Sequence, residues 1–156
     1  MSGPGARAWR LAGALCGLIV LLDQATKAIV EANLVPGQEV DVLGPLELTN
    51  SHNNGVAFGL AGGSALPLIA FAVLALGFVG FLLARDPTAP GMWVAVGLVA
   101  GGALGNLVDR AREGAVIDWI DPTFWPAFNV ADACIVVGVL LLLWVVEGRS
   151  ARPQKS

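Results

Sequence analysis

Charge is scarce in this chain. Only 13% of its 156 residues are Asp, Glu, Lys or Arg, while 56% are hydrophobic. A soluble domain of this length has no use for so much apolar surface, so a multi-pass membrane protein is indicated. The net charge of −3 leaves no basic surface for nucleic acid. Cysteine is rare. Cys16 and Cys134 both lie in apolar runs and neither stands in a CxxC spacing, which speaks against a disulfide or thiolate-metal framework. Both read as small buried apolar residues. The single histidine, His52, sits in a polar turn without an HExxH pattern, so no metal site is expected. The run LAGALCGLIVLL after Arg7 and Arg10 has no A-x-A-like cleavage site behind it and reads as a retained helix.

What is present is long apolar stretches, at about 9–29, 65–84, 92–109 and 130–147. Each is close to the ~20 residues that carry a helix across ~30 Å of hydrocarbon, and helices satisfy their own backbone groups in lipid. Gly77, Gly80, Gly97, Gly101, Gly102 and Gly105 within them allow close helix approach. Arg7, Arg10, Arg85, Arg149, Arg152 and Lys155 fall on one side of these spans, six of the nine basic residues. The 28–64 stretch has no Lys or Arg. The positive-inside rule then makes both termini cytoplasmic and turns the outer segments 30–64 and 110–129 outward. Trp9, Trp93 and Trp144 fall near the inner interface, Trp119 and Trp125 near the outer one. The segment EVDVLGPLELTNSHNNGVAFGL alternates apolar and polar residues and reads as a small β structure, with a turn at Asn53-Asn54-Gly55. No repeat or linker divides the chain, so residues 1–156 are expected to be one integral membrane domain.

The polar residues beside the helices gather in three groups. Asp23 and Lys27 in DQATK are four apart and share a helix face. Asn106, Asp109 and Arg110 in GNLVDR stand at the outer end of the third helix, and Asn129 and Asp132 in FNVAD begin the fourth. Ionisable groups at membrane depth are costly and mark function by default. Each group also has a structural reading: an ion pair for Asp23 and Lys27, a helix cap for Asn129 and Asp132, headgroup anchors for Arg110 and Arg112. Asp121, before Pro122, reads as a turn residue. Ser51 and Ser64 stand at the outer side as Lys27 does, but in no nucleophile motif. Two aspartates sharing a proton remain as a way to activate water, one as base and one as acid.

DQATK, NNGVAF, GGALGNLVDR, the VID of VIDWI and FNVAD follow one another in this order. Together they resemble the lipoprotein signal peptidase family (signal peptidase II), intramembrane aspartic proteases of bacteria, over about residues 9–147. The resemblance implies an all-α membrane fold of four transmembrane helices, with a small extracytoplasmic β-cradle and an outer lid loop or helix. It implies catalytic Asp118 and Asp132, and supporting Asp23, Lys27, Asn53, Asn106, Asp109, Arg110 and Asn129. Asn54 stands beside Asn53 as the alternative site asparagine. No cofactor is implied. The implied substrates are diacylglyceryl-modified prolipoproteins, cleaved just before the lipidated cysteine by a monomer at the outer face of the bacterial inner membrane, among membrane lipids. Val56 departs from a commonly small residue, and the 119–128 loop is short. Two rival classes are a small transporter using the same polar residues as a relay, for which neither repeated halves nor a midplane site is apparent, and a non-catalytic membrane scaffold.

Overall fold

The computed structural model describes residues 3–55 and 66–150. Four helices and three strands follow in the order α1 (Pro4–Asn33), β1 (Glu39–Leu43), β2 (Leu46–Asn53), α2 (Leu66–Arg85), α3 (Met92–Glu113), β3 (Val116–Pro122) and α4 (Val130–Ser150). All four helices are long and apolar enough to span a bilayer, and the protein is a multi-pass membrane protein.

Three helices, α1, α3 and α4, run several residues past the apolar stretches read from the sequence. α1 begins at Pro4, whose fixed φ suits the first helical turn. α3 continues through Asp109 and Arg110 to Gly114, which takes a left-handed φ of 73° and donates its N–H to Arg110 O. Hydropathy reports the solvent around a residue, whereas helical hydrogen bonding continues until a cap stops it.

α3 is the hub and packs against α1, α2 and α4. The approach is close because its contact positions are glycine. A Cβ on Gly101 would stand 2.7 Å from Ile19 Cβ of α1, and one on Gly102 would meet the carbonyl of Ala131 in α4. The α1 and α4 backbones therefore reach α3 where any larger residue would hold them off. α2 lies at the margin, burying only Val79 and Leu83 and exposing Phe71, Leu74, Phe78 and Phe81, as a lipid-facing helix does. Ala8, Ala12, Val79, Leu83, Met92, Val96 and Val145 close the end of the bundle that holds the N-terminus.

The strands form one antiparallel sheet in the order β1-β2-β3. The reversal between β1 and β2 falls at Gly44-Pro45, with Gly44 at φ 57°. The turn expected at Asn53-Asn54-Gly55 ends β2: Gly55 has φ 74° and donates its N–H to Asn53 Oδ1 at 2.8 Å. β3 was not anticipated, because VIDWI reads as an acid-rich outer loop until its pairing with β2 is seen. Cross-strand pairs set Val40, Leu48 and Ile120 on one face and Asp41, Glu47 and Asp121 on the other. After β3 the chain turns at Pro122–Trp125 and returns so that Ile120 and Phe128 exchange hydrogen bonds. Val56, Ala57 and Phe58 of NNGVAF, Ser64, Arg152 and Lys155 lie outside the described residues, as does the side chain of Arg149.

Candidate active site

The end of the bundle away from the N-terminus is polar inside. Lys27 is only 1% exposed, so its ammonium must find partners within the protein. It has three: Nζ lies 2.7 Å from Asp23 Oδ2, 2.6 Å from Asp109 Oδ2 and 3.1 Å from Asn106 Oδ1. The four-residue spacing in α1 supplies the first contact; packing on α3 supplies the others. Asp23 is fully buried and its second oxygen accepts the N–H of Ala131, in the first turn of α4, at 3.0 Å. Gly105 gives Asp23 its room, since a Cβ there would stand 2.6 Å from Oδ2. Asp109 Oδ2 also accepts the N–H of Ile117 at 3.3 Å, which ties the start of β3 to α3.

Asn129 caps α4 reciprocally with Asp132. The N–H of Asp132 donates to Asn129 Oδ1 at 2.9 Å, and the N–H of Asn129 donates to Asp132 Oδ2 at 3.3 Å. The Asn129 amide nitrogen donates to Asp118 Oδ1 at 2.8 Å and to Asn106 Oδ1 at 3.2 Å. Asn106 Nδ2 donates to Asp132 Oδ1 at 2.7 Å. The orientation of Asn106 follows from its neighbours: Lys27 can only donate, so Oδ1 must face it and Nδ2 is left for the carboxylate. Asn53, at the end of β2, donates to Asp118 Oδ2 at 2.9 Å. Two asparagines therefore join the two carboxylates, and a third holds Asp118 from the sheet.

Asp118 and Asp132 wall one cavity of about 600 Å³, together with Asn53, Asn106 and Arg110. Its other wall is apolar, with Phe71, Ala72 and Ala75 of α2 and Val99, Ala103 and Ile135 of α3 and α4. The space thus joins a greasy surface to a carboxylate pair. Burial pushes the Asp118 carboxyl up to about 6, and the nearby charge of Asp132 adds to the rise. Hydrogen bonds from Asn53 and Asn129 and the charge of Lys27 oppose it. A carboxyl poised there can hold a proton near neutral pH and release it during a reaction.

All nine residues singled out for the site meet in this region, in two layers. Asn53, Asn106, Arg110, Asp118 and Asp132 line the cavity; Asp23, Lys27 and Asp109 form an ionic layer behind it, with Asn129 between. Asp109 and Arg110 diverge, the first toward α1 and the second toward the cavity, because consecutive helix residues point about 100° apart. Asp121 is not among the cavity residues. It pairs with Glu47 across the sheet, and with Glu39 these carboxylates lie within 4.8 Å of one another. Ser51 sits opposite Asp118 in β2, but Lys27 is engaged by two carboxylates and an amide, which leaves no free amine for a Ser–Lys pair. Gln24 was missed. Its Nε2 donates to Asp109 Oδ1 at 2.6 Å and to Gly105 O at 3.3 Å. An uncharged residue next to Asp23 gives no helical-face signal of its own.

Residues 15–146 match the family described as signal peptidase (SPase) II. The lipoprotein signal peptidase of Pelotomaculum thermopropionicum is 40% identical over 145 residues, covering 91% of this chain and 95% of that protein. That of Syntrophomonas wolfei is 42% identical over 140 residues, covering 89% and 94%. A bacterial membrane enzyme solved at 2.3 Å by the in meso method superposes with a TM-score of 0.82 at 28% identity, over 93% of this chain and 92% of that one.

Proposed function

The chain belongs to the signal peptidase II family and is a protease that removes signal peptides from prolipoproteins; we propose that it works as an aspartic endopeptidase, with Asp118 and Asp132 as the catalytic pair. The observation that carries this reading is that two carboxylates from separate elements, β3 and α4, wall the same cavity and are joined through Asn106 and Asn129. Like charges so close do not both ionise cheaply, so the pair retains one proton. Water held between them loses a proton to one carboxylate as it attacks the scissile carbonyl. The other carboxyl gives its proton to the leaving amide nitrogen. Asn53, Asn106 and Asn129 hold the two carboxyls. Arg110 is charged and lines the cavity, where it meets a substrate carbonyl. Asp23, Lys27 and Asp109 hold α1, α3 and the start of β3 in register.

The substrate in this reading is a diacylglyceryl-modified precursor cut just before its lipidated cysteine. The apolar wall of Phe71, Ala72, Ala75 and Ile135 suits the signal helix and acyl chains, while the carboxyls meet the peptide bond. With Arg7, Arg10 and Arg85 on the cytoplasmic side, both termini face the cytoplasm and the site opens at the outer face of the inner membrane. Labelling of single cysteines at positions 45 and 88, in a background lacking Cys16 and Cys134, tests this; position 45 reacting from the cytoplasm overturns it. A transport path finds no support, because the opposite end of the bundle is filled by apolar side chains.

The decisive experiment is cleavage of a lipidated precursor in liposomes with EDTA present. Asp118→Asn and Asp132→Asn each lose activity by roughly a thousandfold or more, while Asp121→Asn retains most of it. Turnover by either dyad variant, or loss of wild-type turnover to the chelator, overturns the mechanism.

A further inference from the structure

Gln24 has no part in the chemistry above, yet it makes a 2.6 Å hydrogen bond to Asp109 Oδ1. We infer that Gln24 is a positioning residue for the cleavage reaction: it holds the Asp109 carboxylate in the orientation that fixes the backbone just before Asp118. This deepens the dyad reading and rests on it.

Asp109 receives three donors on two oxygens. Lys27 Nζ and the Ile117 N–H both approach Oδ2, at 2.6 and 3.3 Å, and Gln24 alone among the described side chains takes Oδ1. A carboxylate held at one oxygen rotates about that anchor; held at both, its plane is set. The plane matters because the Ile117 N–H belongs to the residue that precedes Asp118 in β3. The amide of Gln24 has one sensible orientation. Nε2 faces acceptors only, Asp109 Oδ1, Gly105 O and Asp23 Oδ2, while Oε1 accepts from Arg112 Nη1 at 3.5 Å. Reversed, it would set oxygen against two carboxylates. Gln24 thus spans α1 and α3 at the level of the ion pair. A cavity of about 50 Å³ adjoins it, lined by Gln24, Lys27, Asp109 and Ile117 together with Glu31 and Arg112. That is room for water. A side chain too short or too apolar to reach Asp109 leaves Oδ1 to that water, which does not fix the plane.

Two variants separate the amide's reach from its bulk and its polarity. Gln24→Leu keeps the bulk; Gln24→Asn keeps an amide one methylene short. Both are expected to lower kcat roughly ten- to a hundredfold with KM unchanged, since small displacements of a reacting group cost that much. In both, the Ile117 amide should exchange its hydrogen faster than in the parent protein. Wild-type kcat in either variant, or a raised KM with kcat intact, overturns the inference; so does unchanged exchange at Ile117. Failure of the dyad reading shows elsewhere, as cleavage by Asp118→Asn, and leaves the exchange readout of the Gln24–Asp109 hold standing by itself.

Discussion

The two ends of this helix bundle are built on opposite principles. At the end that holds the N-terminus, Ala8, Ala12, Leu83, Met92, Val96 and Val145 pack with no charge among them. At the other end, the same α1, α3 and α4 bury Asp23, Lys27, Asn106, Asp109 and Asn129, with Asp118 of β3 beside them. In lipid an apolar side chain gains little by leaving the hydrocarbon, so the first end is held by close packing. The second end is held by hydrogen bonds and ion pairs whose members cannot be removed singly without stranding a partner. The first end should therefore tolerate change that the second does not. That is the cost of gathering charged and amide side chains inside a membrane protein.

The most severe way to break this contrast is Lys27→Met. It leaves Asp23 and Asp109 buried without their cation, and removal of one partner of a buried pair costs about 3–5 kcal/mol. Thermal unfolding in detergent should show that loss, with cleavage abolished; a variant as stable as the parent would mean the ionic layer does not hold the polar end together. Leu83→Ala is the counterpart at the apolar end. Leu83 is fully buried, and the vacated space should cost about 2 kcal/mol. Activity per folded molecule should stay near the parent level, since nothing polar changes. A large drop in kcat at constant fold would show that the two ends are coupled. The smallest effect, and the one most specific to the site, is expected from Asn53→Ala. Asn53 stabilises the charged form of Asp118, so its loss raises that carboxyl above its value of about 6. Activity that needs the proton on the pair then persists to higher pH. The alkaline limb of kcat/KM should move up by about one unit, the worth of one hydrogen bond to a charged group. A limb that stays in place would mean another group sets it.

The sequence made part of this site legible. Asp23 and Lys27 stand at i and i+4, and a helix of any tilt puts them on one face. Asn129 and Asp132 stand at the spacing of a reciprocal cap, and their hydrogen bonds are local. Four long apolar runs could only be helices if they were to cross lipid. Less was legible where the partner is distant in the chain. VIDWI became a strand through pairing with β2, where Ser51 faces Asp118 from the far side of α2 and α3 in the chain. Gln24 acquired its importance through Asp109, 85 residues away.

By itself, then, the sequence determined what local rules govern: four membrane-spanning helices, the Asp23–Lys27 face and the Asn129–Asp132 cap, but not the helix ends at Pro4 and Gly114, which lie beyond the apolar runs. Tertiary structure alone decided which acids share a space. Asp118 and Asp121 are three residues apart, yet one lines the cavity with Asp132 and the other pairs with Glu47 on the sheet. Alternation along β3 sends them to opposite faces, and the strand exists only because β2 lies beside it. Tertiary structure likewise decided that Lys27 has three partners rather than one, because close approach at Gly101 and Gly102 brings α1 and α4 onto α3.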